Sequence, residues 1–368
     1  IGVRLVGSEM CIRDRYADGA QTTSRTSYNT FNFHDIAFQL PLARRLGLGF
    51  SLTPYSSVGY RVSADEQSDD VWGNIGRVQY LYAGEGDLTE VKLGIGWEVV
   101  KRVSIGVAAQ YYWGDIERTY QTVVSNNIVN GGSVNTVTGT DSYGISRIKM
   151  QLGLQADLIQ SERQVLTLGA TYDMGGNLRP SVNQTVVNGD IYGTVVRGDT
   201  TRMALKLPVQ LGVGLYYQNA KIAAGVDYIY QNWENNESPK SVPGAVNVAY
   251  KNTNTVKLGF EYTPNRMDIR NYLKRWSYRV GFRYGTYYQT FEGKTLSQYA
   301  VTAGFGMPVR FLGRSSIDFG VEFGQRGNDS PLRIDNRQIG LVRQRYVKFS
   351  LGLTLFGEDS WFVRYKYD

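Results

Sequence analysis

The stretch Lys348-Phe349-Ser350-Leu351-Gly352-Leu353-Thr354-Leu355 decides the fold. Phe349, Leu351, Leu353 and Leu355 share one face of an extended chain, and Lys348, Ser350, Gly352 and Thr354 share the other. The same alternation returns over 91–99, 103–113, 148–158, 278–284 and 317–323. A chain built from such segments either packs two sheets face to face or closes one sheet into a barrel. Which of the two faces is dry separates these outcomes.

The chain has 368 residues, among them 42 glycines, 27 tyrosines and 9 prolines. That length suits two or three ordinary domains or one large all-β domain. Mean hydropathy is −0.31, and no run approaches the ~18 apolar residues of a membrane helix. A barrel meets lipid only at every second residue, so low hydropathy does not exclude a membrane. The net charge of +7 is spread along the chain, which argues against a nucleic-acid stripe and reads as a solvated, slightly basic surface. Cys11 and His34 are single representatives of their types. Clustered Cys/His metal sites are thereby excluded, as are Ser-His-Asp and Cys-His mechanisms unless His34 alone supplies the base. No cofactor, metal or enzymatic activity is expected.

Residues 1–15 do not fit the rest. Ser8-Glu9-Met10-Cys11-Ile12-Arg13-Asp14-Arg15 lacks alternation and resembles the translation of a transposase-type sequencing adaptor end. The segment is expected to be non-native and is set aside from fold reasoning. Native sequence then starts near Tyr16, with the true N-terminus lost.

Short links at 42–47, 99–103, 159–164, 217–221 and 311–315 alternate with long polar links at 59–88, 120–145, 178–203, 234–253 and 325–345. Tight turns on one rim and long loops on the other mark an outer-membrane barrel. One link breaks the rule: 264–276 falls on the short-turn rim yet is long and basic. About thirteen strands run from Phe31 to Phe356, and bacterial barrels usually hold an even number, so about fourteen are expected in the intact protein with the first strand missing here.

Three features favour a dry outside over a dry inside. The polar face mixes glycine with charges of both signs, including Lys92, Glu98, Asp157, Lys206, Asp227, Lys257, Glu261, Arg283 and Glu322, which suits a wet lumen. The segments run ~10–14 residues, enough to cross a bilayer at a tilt, whereas sandwich strands cluster near ~5–6. Aromatics gather at strand ends, as at Tyr111-Tyr112-Trp113, Tyr228/Tyr230/Trp233 and Tyr284/Tyr287/Tyr288, like interfacial girdles. The expected fold is an all-β, antiparallel transmembrane β-barrel over 16–356, followed by a C-terminal tail over 357–368.

Several motifs then resemble the FadL-like family of long-chain fatty acid and hydrophobic-compound transporters of the outer membrane. They are 47–61 (Gly-Leu-Gly-Phe-Ser-Leu-Thr-Pro-Tyr-Ser-Ser-Val-Gly-Tyr-Arg), Ile116-Glu117-Arg118, Leu205-Lys206-Leu207-Pro208, and the Asp-x-x-Tyr-x-x-Trp spacing of Asp227, Tyr230 and Trp233. They come in the family's order and cover most of 31–356. The resemblance implies passive uptake of hydrophobic molecules, lumenal binding, and lateral exit where a kinked strand bends inward. It also implies an N-terminal hatch with an Asn-Pro-Ala motif, expected to be lost with the N-terminus.

On that resemblance Arg118 is the candidate ligand residue, because a guanidinium can grip a carboxylate head group with two hydrogen bonds. A rim ion pair with Asp115 or Glu117 is the alternative. Pro54, Tyr55, Ser56, Ser57 and Gly59 form the candidate lateral-gate kink, since proline removes a ladder donor and glycine loosens a strand. An ordinary strand end is the alternative there. Leu207, Pro208, Asp227 and Trp233 mark family-motif strands, with Asp227 and Trp233 read as lumen and girdle structure. Arg326, Arg333, Arg337, Arg343 and Arg345 could hold lipopolysaccharide phosphates, or form a solvated loop. The expected partners are a hydrophobic or fatty acid substrate and outer-membrane lipid, with a monomeric barrel in a Gram-negative outer membrane. A non-transport barrel serving a secretion or surface-assembly system is the competing reading. A lipid hydrolase is disfavoured because His34 stands outside any serine motif.

Overall fold

The computed structural model describes residues 5–6, 10–18, 26–33, 35–43, 45–66, 69–126, 133–178, 180–188, 194–202, 206–234, 241–242, 246–291, 293–310, 314–327, 331–334, 337–340 and 343–355. Fourteen antiparallel strands, some interrupted, follow one another round a closed wall. They are β1 (Leu5–Val6 with Met10–Asp18), β2 (Thr26–Phe33 with Ile36–Ala43), β3 (Leu46–Asp65), β4 (Arg77–Val100) and β5 (Val103–Asn126). Next come β6 (Ser133–Gln160), β7 (Gln164–Asp173 with Ser181–Asn188), β8 (Thr194–Arg202 with Val209–Asn219), β9 (Ile222–Asn232) and β10 (Val246–Tyr250 with Thr253–Tyr262). β11 (Ser277–Phe291), β12 (Lys294–Arg310), β13 (Arg314–Arg326) and β14 (Arg343–Leu355) complete the ring. Each strand pairs with the next, and β14 returns to β1 through Ile12↔Phe349 and Leu5↔Leu355.

The ring closes through β1, which includes residues set aside as foreign. The physical reason is the edge itself. An unpaired strand is a row of free N–H and C=O groups, and any extended segment can satisfy them whatever its side chains.

Side-chain rows follow the expected parity. On β5, Ile105, Val107, Ala109, Tyr111 and Trp113 face outward, and on β6 Ile148, Met150, Leu152 and Leu154 do the same; most of these are exposed. The inward rows carry small or polar groups. Arg279 on β11 donates to Glu261 on β10 (2.7 Å) and reaches over β12 to Asp318 on β13 (2.6 Å). It can do so because β12 presents Gly304 and Gly306 beneath it; a Cβ at Gly306 would meet both Asp318 and Arg279. One level up, Arg283 donates to Glu322 (3.0 Å), which also accepts from the Tyr346 hydroxyl (2.6 Å), above a fully buried Ala300.

The long links are mostly not loops. The β3–β4 ladder continues to Asp65↔Gln79, and the β5–β6 ladder to Asn126↔Ser133. The outward row of β5 changes at the same height, from Tyr111 and Trp113 to Asp115, Glu117, Thr119 and Gln121. Hydrophobic alternation ends where lipid would end, but Thr, Val and Tyr keep the chain extended and paired beyond it. β3 to β6, with Ser181–Asn188 and Thr194–Arg202, thus form a one-sided sheet standing above the apolar belt. Twelve residues at ~3.3 Å each give it a height of roughly 30–40 Å once tilted. Its foot is pinned by Gly86 (φ 125°) and Gly114 (φ 151°), where a Cβ would strike the facing backbone.

Leu152→Arg, in the middle of an outward row, should destabilise the barrel in lipid by about 2–4 kcal/mol. Gln155→Arg, on the inward row of the same strand, should cost far less. Urea unfolding in phospholipid vesicles measures both.

Candidate functional site

Three departures from a plain barrel meet at the upper edge of the belt. The first is in β3. The ladder with β4 slips by one residue between Pro54 and Ser56, which leaves Tyr55 as a bulge. Below it, Gly47, Gly49, Ser51 and Thr53 face inward; above it, inward parity passes to Ser56 and Val58, while Ser57 and Gly59 turn outward. Pro54 contributes no donor here, and nothing lies within 4 Å of where a Gly59 Cβ would sit. The strand does not end at the kink but runs on to Asp65. On its other side, pairing with β2 stops at Ile36↔Leu52. Among the described residues, 53–65 is paired on one side only, and Thr26–Phe33 pairs with β1 alone. Among the described residues the wall therefore lacks a second ladder above Leu52, and this unpaired edge is called the notch.

The second departure is an inward fold of β7 and β8. Gly176–Asn177 pairs with Lys206–Leu207 apart from the main sheet. Leu178 enters the lumen, where it is buried with Leu88, Tyr112 and Ile145, and Ile116 and Leu207 pack on that cluster. Arg147 Nε donates to the Leu178 carbonyl (3.0 Å) and fixes the fold. Pro208 sits where β8 rejoins the wall, a position that needs no ladder donor. Leu207 is thus a plug residue.

The third is a polar brace beneath that cluster. Asp173 accepts from Gln110 and Gln210 (both 3.0 Å). Gln210 accepts from Gln231 (2.7 Å), which in turn accepts from the Trp233 indole (3.0 Å) and the Thr253 hydroxyl (3.1 Å). Buried Glu90 pairs with Lys92 (3.5 Å), and Lys149 lies over the Tyr112 ring (5.7 Å). Tyr55 meets Tyr112 edge-on (4.9 Å). Between these groups remains a cavity of about 110 Å³, room for a few waters and not for an acyl chain. Lower down are two larger spaces of about 520 and 560 Å³, both touching Asp227, whose lining mixes polar residues such as Lys257, Glu261, Gln155 and Thr171 with apolar ones such as Phe260 and Leu154.

Arg118 lies above this constriction. It pairs with Asp141 and Gly84 in the ladder, and its guanidinium covers the Tyr143 ring at 5.5 Å. It shares the inward parity of Gln110, Tyr112 and Ile116, so it faces the lumen. Asp227 faces the lumen between Gly214 and Lys257. Trp233 is corrected from the girdle to the interior, since it stacks on Tyr288 (4.2 Å) and bonds Gln231. Of the loop arginines, Arg326 covers the Tyr346 ring and Arg345 donates to Gln325. His34, Phe356 with the tail 357–368, and the side chains of Arg333, Arg337 and Arg343 lie outside the described residues. Sequence reasoning missed Glu90, Gln110, Lys149, Asp173, Gln210 and Gln231. Their shared inward parity at one height was the available signal.

These features define a fourteen-stranded barrel of the outer-membrane type, constricted at one end and notched beside a kinked strand. The chain belongs to the BamG family, whose model matches residues 7–368. Among solved structures it is similar to a Pseudomonas aeruginosa FadL homologue (13% identity, 96% of this chain and 90% of that one, TM-score 0.65). It is also similar to the P. putida toluene transporter TodX (14%, 97% and 90%, TM-score 0.61) and the CymD monoaromatic hydrocarbon channel (12%, 97% and 89%, TM-score 0.57). At such identities the likeness is one of fold. No curated protein matches the chain.

Cutting the brace with Asp173→Ala and Gln210→Ala together should raise single-barrel ion conductance in planar bilayers several-fold over an almost closed parent. Arg118→Ala, above the constriction, should leave conductance unchanged.

Proposed function

We propose that this chain is a non-transporting barrel of a Gram-negative outer membrane and a component of a surface-assembly or secretion system. Its short-turn rim faces the periplasm, and the tall sheet of β3 to β6 stands outside the cell. The observation that carries the reading is the combination of a polar, braced constriction with that sheet. An apolar solute descending the lumen would have to push aside the half-buried Lys92, Lys149 and Asp173, and would strand the buried Glu90 carboxylate without its cation, a costly loss for a buried charge. The sheet, by contrast, offers a wide surface outside the membrane. Tyr82 and Tyr120 face its inner side at 45% and 40% exposure, on paired strands. The fold shared with the toluene transporter and the monoaromatic hydrocarbon channel, at 12–14% identity, does not by itself carry transport.

The second reading, uptake of a hydrophobic compound such as a fatty acid with lateral exit, is favoured by one observation, the notch at 53–65. It starts at the height where Pro54 pairs with Thr89, level with Trp113 at the edge of the belt. In that reading Arg118 holds the ligand's carboxylate at the mouth.

The purified barrel in liposomes should take up no labelled fatty acid, and cross-linking in native membranes should recover it in a complex of fixed stoichiometry. Tyr82→Ser with Tyr120→Ser should abolish the complex while the barrel stays folded. Saturable fatty acid uptake, lost in Arg118→Ala, would replace this reading with the second.

A further inference from the structure

The link at 264–276 is the one long connection on the short-turn rim, and neither reading above uses it. It is tightly held. Asn265 Oδ1 accepts from the Met267 N–H (3.1 Å), and Asp268 Oδ1 accepts from the N–H groups of Asn271 (2.8 Å) and Arg270 (2.9 Å). Asn271 Oδ1 accepts from the Leu273 N–H (3.1 Å) and caps the short 3-10 turn Tyr272–Arg275. The N–H of Asn265 closes the loop on the Lys274 carbonyl (2.8 Å).

Such a loop could turn its apolar residues inward, yet Ile269 is 98% exposed and Met267 74%, with Leu273 and Tyr272 also exposed. Large apolar groups held rigidly in the open mark a contact surface. Four cations, Arg266, Arg270, Lys274 and Arg275, stand among them against one carboxylate, Asp268. Arg266 pairs with Glu261 and Lys274 with Asp268, whereas Arg270 and Arg275 make no ion pair among the described residues.

The base of the loop lies on the lipid side of the wall. Trp276 stacks on Phe305 (5.0 Å), which leans on Phe319 (5.4 Å), and both phenylalanines belong to outward rows. The hydroxyl of Tyr278, at the head of another outward row, donates to the Leu273 carbonyl (3.1 Å), and that of Tyr272 to the Pro308 carbonyl (2.8 Å). The exposed apolar groups therefore continue the belt at its lower edge, where aromatic and basic residues meet head groups.

We propose that 264–276 is an anionic-lipid site on the lower rim, in which Arg270 and Arg275 take head-group phosphates while Met267 and Ile269 enter the acyl boundary. The site depends on the belt lying in a bilayer, and not on whether the barrel transports. It would fix the height and rotation of the barrel on the leaflet it faces.

Native mass spectrometry after exchange into equimolar phosphatidylglycerol and phosphatidylcholine tests the charge half. The parent should retain phosphatidylglycerol preferentially, and Arg270→Gln with Arg275→Gln should weaken that retention roughly fivefold per charge. Equal retention of the two lipids by the parent would overturn the site. Depth is read separately, with an environment-sensitive fluorophore on Ile269→Cys in a Cys11→Ser background. Quenching by lipids spin-labelled near the head group supports insertion. Quenching by aqueous iodide alone, or shelter from both quenchers as under a protein partner, overturns it.

Discussion

Every backbone N–H and C=O at membrane depth needs a partner within the protein, because lipid supplies none. The whole wall answers to this constraint. It forces β14 to find β1, and it keeps the lower ladders of β9 to β14 in continuous register over the belt. It is relaxed toward the two ends of the wall, where water can satisfy an open edge. The slip at Tyr55, the inward fold at 174–178 and the unpaired side of 53–65 all begin at the upper edge, and smaller register shifts at Pro41, Glu98 and Asp157 lie beside the short turns.

The interior follows from the same closure. Fourteen strands enclose a space that side chains alone cannot fill, so long polar groups reach over small ones. Arg279 and Arg283 span β12 because Gly304, Gly306 and Ala300 stand beneath them. At the upper level these groups are joined by Leu178 and Leu207, carried inward by strands that leave the wall.

Much of this was legible in the sequence. The rows at 91–99, 103–113 and 317–323 have a period of two, and period fixes which face meets lipid. The short turns were equally plain, because Lys101-Arg102 leaves no room for anything but a hairpin. The tall sheet was not legible as strand, since its outward residues are Asp115, Glu117 and Thr119, and a polar outward row reads as a loop. The bulge reverses parity after Pro54, so one pattern spanning 47–61 is in fact two. The inward place of Trp233 was not legible either, because a tryptophan at a strand end has the same local sequence whether it faces lipid or lumen; its partner Gln231 decides the matter. The Asp173 brace joins residues up to 63 positions apart, and no local window contains it.

The lipid belt ends near Trp113 while the β5 ladder continues in water. A nitroxide scan of outward positions 105–123 on β5, in nanodiscs, tests this through collisional access of oxygen and of an aqueous nickel chelate. Access should be oxygen-dominated from 105 to 111 and switch to nickel-dominated by 115, sustained to 123. Oxygen-dominated access continuing through 115–123 would contradict it, because the upper sheet would then be membrane wall.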